Sequence, residues 1–282
     1  MKIHGFAATS VLVLCAFGMG NPAMGAITQL GLVLDTSTSF DSPEEQVTAK
    51  AGLTNAVSLM DVDGSVEITV VQFSAMALTK IGPLVLDSAA DRQAVIDAIN
   101  DIDPADTEII AGIGGTNFDA AFKQVTTSLT GSPNFADREF AIVNIITDGD
   151  PTFYDACCTL DEALNEELRK ANARAAGLAS RNAAVTAGID VISFELIDPP
   201  TGEPGGVPYV ETLAYPGSAP FSAPPFPDPI TSKGFIVELA GVEDIEGALL
   251  AKWVAADLGT PEPASLLVLG LGTAALLSTR RR

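Results

Sequence analysis

The chain has 282 residues, with 36 acidic side chains against 15 basic ones and a formal charge of −21. Lys2 contributes +1 and residues 260–282 contribute +2, so the stretch between the two ends holds −24, a charge that phosphate backbones and anionic headgroups repel. That excludes nucleic acid as a partner. The one histidine, His4, lies in the leader, so the rest of the chain has no histidine base and no histidine-ligated metal.

Residues 1–25 read as a secretory signal peptide: Lys2, an apolar stretch from Phe6 to Phe17, then Ala23 and Gly25 ahead of a cleavage point before Ala26. Beyond the leader, the adjacent Cys157 and Cys158 provide no disulfide framework. Leu30, Leu32, Val33 and Leu34 have the pattern of a strand covered on both faces, as in a central parallel strand. It ends in Asp35, with Ser37 and Ser39 at alternate positions, where an open α/β sheet places its ligand. One carboxylate and two hydroxyls are hard oxygen donors, suited to Mg²⁺, Mn²⁺ or Ca²⁺ rather than Zn²⁺. On its own the same string is more often a helix cap and turn.

Ser42, Pro43 and Glu45 start a helix that runs to about Met60. Strands follow at Val66–Phe73 and Met76–Ile81, close enough to pair antiparallel, and then a helix at Ala89–Ile102. The acids Asp101, Asp103, Asp106 and Glu108 read either as a secondary calcium site or as a solvated loop. A glycine-rich loop, Gly112–Gly115, leads through Thr116 into a helix at Phe118–Thr130. It lacks the lysine of a phosphate loop. Its glycines let the backbone bring the Thr116 hydroxyl close to another group, unless Thr116 is simply a cap.

Phe140–Thr147 is a second buried-looking strand, and it too ends in an aspartate, Asp148. Two strands ending alike suggest neighbours at a topological switch point. A helix at Asp161–Ala187 and a strand at Ile189–Leu196 come next. The prolines of residues 198–230 preclude regular helix or central strand there. A strand at 234–239 and a helix at Val242–Leu258 complete the body. The whole predicts an α/β fold: a doubly wound, Rossmann-like, mostly parallel sheet with helices on both faces and one antiparallel edge strand.

Taken together, Asp35-x-Ser37-x-Ser39, Thr116 and Asp148-Gly149 resemble the von Willebrand factor A domain and its metal-ion-dependent adhesion site (MIDAS), over roughly residues 27–258. The resemblance implies a divalent cation, Mg²⁺ first with Ca²⁺ or Mn²⁺ as alternatives. Ser37, Ser39 and Thr116 would ligate through hydroxyls, and Asp35 and Asp148 directly or through water. One coordination position would stay open for an acidic oxygen of an extracellular protein or polysaccharide. Residues 198–230 stand where that family has a helix; they either border the site and shape partner choice or form a linker-like covering loop.

The tail reads Pro261-Glu262-Pro263, an apolar run Leu266–Leu277, then Arg280-Arg281-Arg282. With its flanks the run falls slightly short of the ~20 residues that usually cross a bilayer. It resembles the PEP-CTERM sorting signal of Gram-negative bacteria. That implies transient inner-membrane anchoring, processing by an exosortase-type enzyme, and delivery to the cell surface or extracellular matrix; a permanent single-span anchor is the alternative. The chain thus divides into a signal peptide (1–25), a VWA-like domain (26–259) and a sorting signal (260–282). The expected function is adhesion, without catalytic residues. A matrix building block with a structural metal is the second reading. A metal-dependent hydrolase is disfavoured, because no histidine, cysteine nucleophile or lysine base is placed near the aspartates.

Overall fold

The computed structural model describes residues 27–38, 43–108, 115–155, 165–197, 207–217, 220–221, 234, 236–239 and 241–255. Within them the chain forms, in order, β1 (Thr28–Asp35), α1 (Pro43–Ser58), β2 (Val66–Phe73), β3 (Ala77–Val85) and α2 (Ala89–Asn100). Then come α3 (Phe118–Thr130), β4 (Phe140–Thr147), α4 (Glu166–Ala187), β5 (Val191–Ile197), α5 (Val207–Leu213), β6 (Pro220–Phe221), β7 (Ile236–Leu239) and α6 (Ile245–Ala255). The expected signal peptide, Ser39, Ser42, the loop glycines Gly112 and Gly114, Cys157, Cys158 and the whole sorting segment lie outside the described residues. Among the described residues, no helix is long and apolar enough to cross a membrane.

The sheet order is β3-β2-β1-β4-β5-β7-β6, parallel throughout except for β3 at one edge. β1 and β4 are neighbours at its centre, and every residue of β1 is buried, which explains its uninterrupted apolar run. The crossover after β1 leads to β2 on one side and that after β4 leads to β5 on the other. Their carboxyl ends therefore frame the expected switch point.

Alternation along the strands divides the core in two. Leu30, Leu32, Ile142 and Ile146 face α1, α2 and α6, whereas Val33, Val143 and Ile145 face α3, α4 and α5. α3 matches the predicted span, because Asn117 caps its start by accepting from the Ala120 amide and Gly131 ends it. Its Phe118, Phe122, Val125 and Leu129 form the stripe that lies on the sheet.

The remaining boundaries differ from expectation for local reasons. β3 continues past Ile81 to Val85, with a register irregularity opposite Ile68–Val70 that accommodates Gly82 and Pro83, as an edge strand permits. α4 begins at Glu166, where the Asn165 side chain accepts from the Leu168 amide; the predicted start at Asp161 lies outside the described residues. The last helix opens with a 3₁₀ turn, Val242–Asp244.

One expectation is overturned. Residues 207–213, inside the proline-rich stretch, form a two-turn helix whose Tyr209, Val210 and Leu213 are buried. Pro208 sits in its first turn, where the missing N–H would have had no helical acceptor. The helix is fastened to the body by Tyr209, whose hydroxyl donates to the Arg174 carbonyl at 3.0 Å.

Candidate metal centre

The site is built where β1 and β4 run out. Asp35, the last residue of β1, is 1% exposed. Its Oδ1 accepts from the Ser37 amide at 2.9 Å, a turn that brings the Ser37 side chain back beside the carboxylate. Its Oδ2 accepts from the Thr147 hydroxyl at 2.7 Å, across from β4. Thr147 Oγ1 in turn accepts from the Gly149 amide at 3.1 Å. Gly149 has φ 142°, a backbone conformation that favours glycine, and this turns the chain directly after Asp148.

Thr116 arrives from the third segment. Its hydroxyl donates to Ser37 Oγ at 3.3 Å, and both residues are buried. Its backbone is tied to the loop after β4: the Thr116 amide donates to Thr152 Oγ1 at 3.1 Å, and its carbonyl accepts from the amides of Thr152 (2.9 Å) and Phe153 (3.2 Å). Thr36, between Asp35 and Ser37, points elsewhere. Its hydroxyl donates to the Phe73 carbonyl at 3.0 Å and lies 3.0 Å from Thr107 Oγ1.

Several acids gather at this end of the sheet. Asp150 is held by Arg174 at 3.0 and 3.1 Å and by Lys170 at 3.4 Å, and Asp155 is paired with Lys123 at 2.7 Å. Asp148 acts on Asp35 through its charge. Burial pushes the Asp35 carboxyl up to about 7, the negative charge of Asp148 adds to the rise, and hydrogen bonds from Thr147 and Ser37 oppose it. A dry carboxylate facing a second carboxylate is an unfavourable arrangement that a divalent cation reverses. The donors at hand (Asp35, Asp148, Ser37, Thr116) are all oxygens, which fits a hard cation.

The structure thus brings together Asp35, Ser37, Thr116 and Asp148. It adds Thr147, which sequence reasoning left inside a strand although a hydroxyl at a strand's last position was its visible signal. Asp101 and Asp106 are engaged by Lys80 at 2.9 and 3.0 Å, and Asp103 caps the 3₁₀ turn Pro104–Asp106. Among the described residues, no group of three or more His, Cys, Asp or Glu is placed to hold a metal ion.

Residues 260–282 match the PEP-CTERM protein-sorting motif. No curated protein matches the sequence. Solved structures with a similar fold include proximal thread matrix protein 1 from the mussel byssus, with 16% identity and a TM-score of 0.53 over 82% of this chain and 48% of that one. A von Willebrand factor type A protein from Catenulispora acidiphila matches with 14% identity and a TM-score of 0.51, over 83% and 43% of the two chains. The pilus adhesin SpaC from Lactobacillus rhamnosus GG matches with 13% identity and a TM-score of 0.56, over 83% and 30%. The fold is that of a von Willebrand factor type A domain. The chain spans less than half the length of each of these three proteins.

In this fold the approach of the Thr116 segment to the loop after β4 depends on Gly115. A Cβ there would lie 2.0 Å from Phe153 Cδ2 and 2.7 Å from Thr152 Oγ1. Gly115→Ala is therefore expected to separate the two loops and weaken divalent-cation binding by about tenfold or more, about 1.4 kcal/mol, with the far-ultraviolet spectrum unchanged. Titration of both proteins checks this, and equal affinities would refute the tie between the loops. Asn117 and Asp119 reinforce it: Asn117 Nδ2 donates to Asp155 Oδ1 at 3.3 Å, and Asp119 accepts from the Asp155 amide at 3.2 Å.

Proposed function

We propose that this protein is an exported adhesion or matrix-interaction module that binds an acidic group of an extracellular protein or polysaccharide through a divalent cation. The cation is held by Asp35, Ser37, Ser39, Thr116 and Asp148. The observation that carries this reading is the convergence of Asp35 and Ser37, from one segment, with Thr116 from another, and Asp148 near enough to raise the Asp35 carboxyl. Few protein charges around the ion leave it electrophilic, so that it recruits an external anionic oxygen. The one histidine of the sequence, His4, lies in the leader and can give this set no imidazole base, which favours binding over catalysis. Among proteins of similar fold, SpaC is a pilus adhesin, and one structure of proximal thread matrix protein 1 has a zinc-occupied MIDAS motif.

The sorting motif at 260–282 supports passage to the surface of a Gram-negative bacterium, with residues 1–25 as signal peptide. Pro261, Glu262 and Pro263 would mark the segment for an exosortase-type enzyme. The apolar run and Arg280, Arg281 and Arg282 would hold it in the inner membrane until processing. Residues 26–259 would form the released domain.

Calorimetric titration with Mg²⁺, Ca²⁺, Mn²⁺ and Zn²⁺ tests the site. Saturable binding to the wild type is expected, with a loss of about a hundredfold or more in Ser37→Ala and in Asp148→Ala, about 3 kcal/mol. Variants that bind as the wild type does would overturn the assignment. Partner capture that persists in chelator would favour a matrix component whose metal is structural.

A further inference from the structure

A second polar cluster lies away from the metal centre, in the dry layer between the sheet and the last helix. Lys252 of α6, Asn144 of β4 and Glu195 of β5 are 2%, 1% and 0% exposed. In the parallel ladder Asn144 is opposite Ser193, so Glu195, two residues along, presents its side chain on the same face as Asn144. That face belongs to the apolar cluster containing Ile142, Ile146, Val191, Ile197, Leu249 and Trp253.

The contacts have a definite sense. Lys252 Nζ donates to Asn144 Oδ1 and to Glu195 Oε1, and Asn144 Nδ2 donates to Glu195 Oε2. The amine thus rests against an amide carbonyl, while one carboxylate spans the amine and the amide nitrogen. A buried ion pair is a poor source of stability compared with apolar packing, so packing alone gives little reason for the group. As a reaction centre it is complete: a nucleophile, an acyl group, and a carboxylate touching both the attacking and the leaving nitrogen. Burial lowers the proton affinity of Lys252, which favours the neutral amine that attacks.

We propose that Lys252 and Asn144 join in an intramolecular isopeptide bond, with Glu195 as the catalytic residue that carries the protons. Glu195 takes a proton from the Lys252 ammonium, and the amine lone pair forms the Nζ–Cγ bond to Asn144. Glu195 passes that proton to Nδ2, and the Cγ–Nδ2 bond breaks with its electron pair on nitrogen. A second Nζ proton travels by way of Glu195 to the departing ammonia, which leaves as ammonium. One ammonium and one amide become one amide and one ammonium, without oxidant, water or metal. The product ties the central strand to the last helix across 108 positions of sequence.

Peptide mapping of the full chain, unfolded and digested with trypsin, decides the matter. The wild type is expected to give a branched peptide that joins the segments around Asn144 and Lys252, lighter than their sum by one ammonia and uncut after Lys252. Lys252→Arg and Glu195→Gln are expected to give two linear peptides with Asn144 intact, circular dichroism reporting whether each variant folds. Linear peptides from folded wild type, with Asn144 and Lys252 unmodified, overturn the proposal whatever the variants do. A branched peptide that persists in Glu195→Gln overturns the role given to Glu195.

Discussion

Asp35→Asn is expected to abolish divalent-cation binding and, at about pH 8, to raise the melting midpoint of the metal-free protein. The two effects share one cause. In the folded metal-free protein the Asp35 carboxyl is raised from 3.8 to about 7, first by burial and then by Asp148. Between those values the folded chain retains a proton that the unfolded chain has released. Stability without metal therefore falls as pH rises through this window and levels off above about 7. The full shift corresponds to about 4 kcal/mol at most, from about 1.4 kcal/mol per pH unit. Asparagine removes the buried charge while still offering an oxygen to the Ser37 amide. A gain of about 5–10 °C follows for a domain of this size.

Scanning calorimetry of both proteins from about pH 4 to about pH 8, with and without Mg²⁺, makes the comparison. The wild type in chelator should lose stability across the window and regain it with metal; the variant should do neither. Metal binding to the wild type near pH 6 should also release a proton, detectable as a buffer-dependent heat. The same pH slope in both proteins would show that Asp35 is not the group responsible.

Phe118→Ala carries the largest expected loss of stability. Phe118 is fully buried, and its ring lies 5.7 Å from Phe73, 6.0 Å from Phe194, 6.2 Å from Tyr209 and 6.5 Å from Phe122, centroid to centroid. These rings belong to β2, β5, α5 and α3, so one side chain joins four elements of the same core. Truncation removes the apolar transfer energy and leaves a cavity, for about 3–5 kcal/mol and a fall of about 10 °C in melting midpoint. Phe118 is also two residues from Thr116, and the hydrogen bonds of Asn117 start from the same turn. Cation affinity should therefore fall as well, whereas Phe118→Leu, which keeps most of the volume, should cost less on both counts. Urea unfolding alongside metal titration measures both; a stability change below about 1 kcal/mol would contradict the packing role.

The parts of the fold that sequence reading captured share a physical reason. β1 and β4 are buried on both faces and stop at an aspartate, so pattern and boundary agree. α3 has a side-chain cap at Asn117 and a glycine at its end. The helix at Val207–Leu213 escaped, because a count of prolines says nothing of where each falls, and Pro208 falls where a helix tolerates it. At the proposed metal centre Asp35, Ser37, Thr116 and Asp148 were legible as candidate donors, whereas Thr147 looked like one more strand residue. Lys252, Asn144 and Glu195 were invisible for the same reason: each is unremarkable in its own element, and what matters is that three elements meet at one point.

The two borders of the sheet bear on how copies of this chain meet one another. A strand border with free amides and carbonyls invites the next molecule to add on, and crowded copies would then stack without limit. Here one border is β3, which carries Pro83 within a register irregularity and the pairing of Lys80 with Asp101 and Asp106. The other ends in β6, two residues long and beginning with Pro220. Backbone stacking is blunted on both sides, so association between copies is left to side chains.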